Sequence, residues 1–493
     1  MKTLLIGSLV CICSAACLPR EAAGALPRSS PEAQGVSSTR LLAFIDEADE
    51  KLDSLHSFML VRHGHVVAEG WWSPYTPEAR HALYSLSKSF TSTAVGIAIA
   101  EGKLRLDDEV LKFFPEEAPA EPSSQLKSMR LQDLLRMNTG QQTEPPRPLD
   151  QSWTKAFLAH PVPFKPGTHF HYNTSATYMT SAMVQKAAGE TLLDYLRPRL
   201  FDPLGISSPT WELSPQGIST GGYGLSIRTE DIAAFGQLYL QKGRWEGKQL
   251  VPEAWVEAAT ARQTSNGSNP HSDWDQGYGY QFWRCRHGAY RGDGAFGQFC
   301  IVLPEQDAVI AITSGLKDMQ SVLNLIWDHL LTAMQGATLA ENPEGLATLQ
   351  HRLKRLTLRT PEGDGRPGDV FGKTFRFPPN DSPLEAISLE PGDGERVAAA
   401  MVTRANGREQ RILLGRSHWL AGKASWNRFA EQPAAASGAW ATDNLFVAKL
   451  CFTETPYVVT LRMTFEGDEV ELATETNVGF GGTRQAILTG TAE

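Results

Sequence analysis

Ser85 and Lys88 stand three residues apart at the head of a stretch with helical periodicity, and this pair of residue types can do chemistry. On a helix that spacing places the lysine over the serine on one face. A serine hydroxyl needs a base to become a nucleophile. A lysine serves once desolvation or a neighbouring charge lowers its pKa. The helix N-terminus adds a positive dipole end and free N–H groups beside the hydroxyl. The spacing alone is common, and a surface serine and lysine satisfy it as well. Two further segments matter. Tyr172 lies in Phe170-His171-Tyr172-Asn173-Thr174-Ser175, after Pro166-Gly167-Thr168, and a tyrosine beside such a pair can pass protons. Tyr290 to Gln298 carries Arg291, Gly292, Asp293, Gly294, Ala295, Phe296 and Gly297 ahead of a strand over 299–303. Its glycines let a substrate approach the strand edge. A backbone N–H from this strand, with that of Ser85, could hold an oxyanion.

The elements that must position these groups are readable in outline. Residues 36–53 form a helix with Leu41, Leu42, Phe44, Ile45 and Leu52 on its apolar face. Ser57 to Trp72 reads as a strand pair turning near Arg62-His63-Gly64-His65. Residues 85–101 form an amphipathic helix, with Phe90, Ala94, Ile97 and Ala98 at helical spacing and Gly102 as its stop. Residues 176–200 and 230–243 are helical. Tyr278 to Trp283, Phe296 to Leu303 and Ala308 to Thr313 read as strands, and Ser321 to Met334 as a helix. Strands, then helices, then strands again predict an α+β domain whose antiparallel sheet is assembled from both ends.

A boundary follows. Residues 336–370 hold a polar helix and a linker, Pro361 to Gly368, with three glycines and two prolines. From 371 to 493 short alternating runs recur between turns, which predicts a small all-β barrel or sandwich. Residues 1–25 read as a signal peptide: Lys2, an apolar run from Leu4 to Ala16, and Ala23-Gly24-Ala25 as the small-residue cleavage pattern. The mature chain is then periplasmic or secreted. Acylation at Cys17 is the alternative, but Ser14 stands where a lipobox wants leucine. The remaining domains are 26–335, 336–370 and 371–493.

The 493 residues carry a net charge of −9 and are 41% hydrophobic and 20% charged. That excludes a disordered or coiled-coil chain and gives no electrostatic reason to bind nucleic acid. No other run is long and apolar enough to span a bilayer. Outside the leader only Cys285, Cys300 and Cys451 remain, which is no disulfide framework. Cys285 and Cys300 either pair across neighbouring strands or stay buried thiols. His63 and His65, like His169 and His171, have the spacing of strand metal ligands, but no third ligand stands at matching spacing, so no metal is expected. His171 either tunes its neighbour Tyr172 or lies at the surface.

In combination these motifs resemble the serine β-lactamase-related hydrolases, the branch of class C β-lactamases, family VIII carboxylesterases, D-amino acid amidases and 6-aminohexanoate-dimer hydrolases. The resemblance covers roughly residues 30–335. Ser85-x-x-Lys88 matches the nucleophile motif. Leu134-Leu135-Arg136-Met137-Asn138-Thr139-Gly140 is similar to the family's Leu-Leu-x-Met-x-Ser-Gly segment, with Thr139 for serine. Pro166-Gly167-Thr168 with Tyr172 is similar to the Tyr-x-Asn region, and Gly221 to Leu225 with Asp231 and Phe235 to the Gly-Gly segment. The resemblance implies a β-lactamase/transpeptidase-like domain in which Ser85 is the nucleophile, Lys88 its base and Tyr172 the proton shuttle. It implies an acyl-enzyme route with no metal or organic cofactor. Thr174 replaces the family's asparagine, unless Asn173 serves from one residue away. Gly292-Asp293-Gly294 stands near the place of Lys-Thr-Gly, so Asp293 would repel a substrate carboxylate. Asp293, Gly294, Ala295 and Thr174 are the oxyanion- and substrate-binding candidates. The expected partner is a small ester or amide. A D-alanyl peptidase, a weak β-lactamase and an inactive binding protein are the alternatives. The C-terminal domain resembles lipocalin-like domains appended to such hydrolases, to bind an apolar ligand or to pack against the catalytic domain.

Overall fold

The computed structural model describes residues 25–380, 382–393 and 395–493, so the expected leader, apart from Ala25, and Cys17 lie outside the described residues. A hairpin of β1 (Leu55–Arg62) and β2 (His65–Trp71) joins β3 (Trp283–Arg284), β4 (Tyr290–Gly294), β5 (Gln298–Leu303) and β6 (Ala308–Ser314). The order is β2-β1-β6-β5-β4-β3, and every pairing is antiparallel. The sheet is thus built from both ends of the domain, as the element order predicts.

Side chains alternate across a strand, so each strand feeds two cores. From β1, Met59 and Val61 enter one core while Phe58 and Leu60 enter the other. The helices are α1 (Ser38–Lys51), α2 (Ser87–Ala100), α3 (Thr174–Ala188), α4 (Thr229–Leu240), α5 (Met319–Leu325) and α6 (Pro343–Leu353). The first core holds Phe90 of α2, Met179 of α3 and Phe235 of α4; the second holds Phe44 of α1, Leu323 of α5 and Leu349 of α6. Phe90 and Phe235 stack at 3.9 Å, joining α2 to α4.

Two expectations need correction, and the open choice for Cys285 and Cys300 falls to buried thiols. Helix α2 is not amphipathic, because residues 87–98 are all buried. Its hydroxyls bond inward instead: Thr91 to Gly221 O at 2.8 Å and Ser89 to Gln281 O at 2.9 Å. Tyr278 to Trp283 is not a strand; only Trp283–Arg284 pairs with β4. Gln281 bends the chain with φ +66°, and its amide donates to the carbonyls of Leu134 and Leu135 at 3.2 and 2.7 Å. Cys285 and Cys300 do not pair. They lie in different cores, on opposite faces of the sheet.

The C-terminal domain is a closed up-and-down barrel. Its strands run in chain order from Thr374–Arg376 to Leu488–Ala492, and these two end strands pair with each other. Nine strands close the ring through Gly415 and Ser437, with Leu420–Trp426 paired alongside Phe429–Trp440. Residues 361–368 are no free spacer, since Gly365 N donates to Trp440 O at 3.0 Å and Arg366 N to Asp443 Oδ1 at 2.8 Å. The interior is filled by side chains such as Met401, Leu414, Phe446, Leu461 and Met463. The barrel packs on the sheet domain through Cys451 and Val458, which join its second core. Tyr75 Oη donates to Thr455 O and Ala82 N to Glu454 O, both at 2.9 Å.

A buried imidazole pair sits at this junction. His56 Nδ1 lies 3.0 Å from His81 Nε2, His56 Nε2 lies 3.1 Å from Ser54 Oγ, and Tyr75 stacks on His56 at 3.8 Å. Burial pushes both pKa values down, His81 to about 4, and the proximity of His81 adds to the shift of His56. Both rings are therefore neutral in the folded protein, while the unfolded chain takes up protons below about pH 6.5. Stability is thus full above that value and is expected to fall as pH drops from about 6.5 toward about 4. Each ring contributes about 1.4 kcal/mol per pH unit inside its own window. Urea unfolding at about pH 7.5 and about pH 5 checks this, and equal stabilities would contradict it.

Candidate active site

Ser85 lies in a short turn, Tyr84–Leu86, that runs directly into α2. The turn is held on both sides of the serine. Leu83 N donates to Leu225 O at 2.9 Å, and Leu225 N donates to Ser87 Oγ at 3.1 Å. Tyr84 adopts φ +48°, a conformation that costs a bulky residue about 1 kcal/mol or more.

Lys88 is 1% exposed, and its Nζ reaches three oxygens: Ser85 Oγ at 3.1 Å, Thr174 Oγ1 at 3.2 Å and Gly222 O at 2.7 Å. Among the described residues no carboxylate pairs with it. Burial lowers its pKa to about 7; Glu144 and Asp293 oppose that shift and Arg147 adds to it. A neutral amine has two N–H bonds and one lone pair. The N–H bonds serve Gly222 and Thr174, and the lone pair then faces the Ser85 hydroxyl. Gly222 is needed here, because a Cβ at that position would lie 2.7 Å from Thr174 Cγ2 and 3.4 Å from Lys88 Nζ.

Tyr172 sits in the loop before α3. Its ring stacks on Trp283 at 5.4 Å and meets Tyr278 edge-on at 6.3 Å, and Lys88 Nζ lies 5.0 Å from its centre. Burial raises the phenol pKa well above its ordinary value. The charge of Asp293 adds to this, and hydrogen bonding to Ser85 opposes it. Tyr172 is therefore a protonated phenol across the physiological range. The loop is anchored from the Leu134–Gly140 segment: Met137, at φ +59°, accepts from His171 N at 2.9 Å, and its sulfur accepts from Asn173 N at 3.3 Å.

The structure resolves the choice between Asn173 and Thr174. The Asn173 side chain caps α3 by accepting from Ala176 N at 3.0 Å and donates to Gln141 at 2.8 Å, away from the lysine. Thr174 faces Lys88. Asp293 is an ion-paired carboxylate, so the repulsion expected of it toward a substrate carboxylate is weakened and not removed. Arg291 Nε and Nη2 lie 3.0 and 2.8 Å from Asp293 Oδ2, and the wholly buried guanidinium also packs over Trp274 at 4.4 Å.

Gly294 ends β4 against the nucleophile turn, and Ala295 follows it. Gln298 Nε2 donates to Ala295 O at 3.0 Å and fixes that peptide. The backbone N–H groups of Ser85 and Ala295 have no acceptor among the described residues. Asp231, from the Gly-Gly segment's helix, is structural: its carboxylate caps α4 and holds Arg228 at 2.7 Å. His171 forms no side-chain hydrogen bond among the described residues. His63 bonds Gln34 at 3.2 Å, and His169 stacks on Phe164 at 4.3 Å. No cluster fit for a metal ion occurs among the described residues, and no described helix is long and apolar enough to cross a membrane.

Sequence reasoning missed Glu144 and Arg147, which form an ion pair at 2.7 Å near the lysine; Glu144 also accepts from Thr174 N at 3.1 Å. They lie in a proline-rich loop with no periodic signal. It also left Gly222 unassigned, although the Gly-Gly segment marked its place.

Comparison with known proteins gives one family and several relatives. The Beta-lactamase family matches residues 55–333. The chain is 25% identical over 329 residues to the 6-aminohexanoate-dimer hydrolase of Paenarthrobacter ureafaciens, covering 61% of this chain and 83% of that one. It is 26% identical over 160 residues to the D-aminopeptidase of Brucella anthropi, covering 30% and 31%. A Bacteroides dorei structure described as a candidate β-lactamase superposes with TM-score 0.52 at 16% identity, covering 60% of this chain and 99% of that one. A Bacillus anthracis structure described as a candidate 6-aminohexanoate-dimer hydrolase gives 0.51 at 21%, covering 63% and 89%. These two likenesses establish the shared fold of the sheet domain.

Proposed function

Because the chain belongs to the Beta-lactamase family and is a hydrolase of the serine β-lactamase-related type, we propose that it is an exported hydrolase that cleaves a small ester or amide through an acyl-Ser85 intermediate. The observation that carries this reading is the buried Lys88 amine, 3.1 Å from Ser85 Oγ, with a pKa lowered to about 7. Neutral Lys88 takes the serine proton as Oγ bonds to the substrate carbonyl carbon. The N–H groups of Ser85 and Ala295 receive the oxyanion. Tyr172 passes a proton to the leaving group, and water then releases the acid and restores Ser85. Residues 1–25 support export to the periplasm or beyond.

Ester or amide chemistry is favoured over β-lactam hydrolysis because β4 offers no free cation for a β-lactam carboxylate. Arg291 is buried and paired with Asp293. The name of the similar 6-aminohexanoate-dimer hydrolase, matched over 83% of its length, supports the same reading, while a similar protein of Escherichia coli matched over 58% is named a β-lactamase. The expected kcat/KM for p-nitrophenyl butyrate exceeds that for nitrocefin by about tenfold or more. A β-lactam rate equal to the ester rate would contradict the proposal, and folded protein inert toward both would favour a binding role.

Gly294 supplies a second check. A Cβ there would lie 1.9 Å from Leu83 O, a backbone atom two residues before Ser85. Gly294→Ala must push β4 and the nucleophile turn apart. A displacement near 1 Å costs about 10²-fold in rate. Ester hydrolysis by a variant with wild-type circular dichroism is expected to fall by about that factor. An unchanged rate would show that this strand end does not set the nucleophile's position.

A further inference from the structure

Two aromatic residues flank the groups assigned to catalysis, and both have left-handed backbones. Tyr84 precedes Ser85 with φ +48°, and Phe296 follows Ala295 with φ +69°. Bulky side chains rarely hold that conformation, and each costs about 1 kcal/mol or more. At Phe296 the strain is held by its carbonyl, which accepts from Leu316 N at 2.9 Å and Ser314 Oγ at 2.8 Å. The two rings meet edge-on at 5.5 Å.

The barrel completes the group. Phe480 comes from the loop between the Glu469–Thr476 and Leu488–Ala492 strands, with Gly479, Gly481 and Gly482 around it. Its ring lies 4.9 Å from Phe296 and 5.7 Å from Tyr84. Tyr84 Oη donates to Tyr457 Oη at 2.8 Å, which ties the nucleophile turn to the barrel. Arg428 lies over the Tyr457 ring at 5.3 Å and the Phe429 ring at 5.1 Å. Phe480 nonetheless remains 75% exposed. A phenyl ring left in water gains nothing there, whereas one that takes up an apolar group gains the burial of both.

We propose that Tyr84, Phe296 and Phe480 form an aromatic wall beside Ser85 that binds an uncharged aryl or alkyl group of the substrate, so that the C-terminal barrel sets substrate specificity. This rests on the reading of Ser85 as the reacting centre. The wall is formed from both domains, and the exposed ring is the barrel's own. It selects for apolar bulk and makes no demand on charge.

Ligand-observed NMR titration with 4-phenylbutanamide and with butanamide tests this without needing turnover. Wild-type protein is expected to bind the phenyl amide about tenfold more tightly or better, and Phe480→Ala to lose most of that preference. Phe480 is exposed, so its removal leaves the fold intact. Phe480→Leu, which keeps apolar bulk, is expected to retain part of the preference. Equal binding of both amides by wild type, or an unchanged preference in Phe480→Ala, would overturn the proposal. In a kinetic arm, p-nitrophenyl 4-phenylbutanoate and acetate are compared, and then phenyl and ethyl butanoate. The pair that responds to Phe480→Ala shows whether the wall holds the acyl or the leaving group, and a response from neither overturns the proposal. A phenyl preference lost in Phe480→Ala, in protein whose Ser85 cannot be acylated, would support the wall and sink the hydrolase reading.

Discussion

Lys88→Met is expected to lower kcat/KM for p-nitrophenyl butyrate by about 10³-fold or more, equivalent to about 4 kcal/mol of transition-state stabilisation. Methionine is close to lysine in length and tolerates the buried site, so the loss reports on the base and not on a collapsed core. Lys88→Arg is expected to be as inactive, because a guanidinium stays protonated. The wild-type pH profile carries the same information. The active form is the neutral amine, whose pKa burial lowers to about 7. Activity is therefore expected to rise about tenfold per pH unit below that value and to level off above it. A rate flat from about pH 5 to about pH 9 would exclude Lys88 as the base.

Tyr172→Phe is expected to separate two classes of leaving group. The phenol is held protonated by its burial and by Asp293, so it acts as a donor and not as a phenolate base. An amine leaving group needs that proton, whereas p-nitrophenolate departs without it. The expected loss is about 10³-fold on an anilide and about tenfold on the p-nitrophenyl ester. The ring's stack on Trp283 survives the substitution. Equal losses on both substrates would place the role of Tyr172 outside leaving-group protonation.

The sequence carried the parts of this site that depend on short spacing. Ser85 and Lys88 meet because a helical turn brings residues three apart together, and the Pro166–Thr168 turn announced Tyr172. What it hid depends on long-range partners. The serines and threonines of α2 read as a wet face, yet they bond to Gly221, Gln281 and Tyr239 carbonyl or hydroxyl oxygens brought in by the fold. On paper Thr174 stood in the asparagine's place, with Asn173 one residue away as the alternative; the N-terminus of α3 claimed the asparagine as its cap and left the threonine to the lysine. Asp293 read as an unpaired charge toward a substrate carboxylate because nothing local shows that Arg291, two residues back on the same face of β4, turns beneath Trp274 to meet it. Alternation gave away the barrel, but the reach of Phe480 to Tyr84 depends on how two domains dock.

The central claim is that Ser85 becomes covalently acylated. Intact-mass measurement after incubation with a fluorophosphonate tests it most directly, on wild type, Ser85→Ala and Lys88→Met. The account predicts one added label on wild type, none on Ser85→Ala and much slower labelling of Lys88→Met. A folded wild-type protein that takes no label, or a Ser85→Ala protein labelled as fast as wild type, would contradict it.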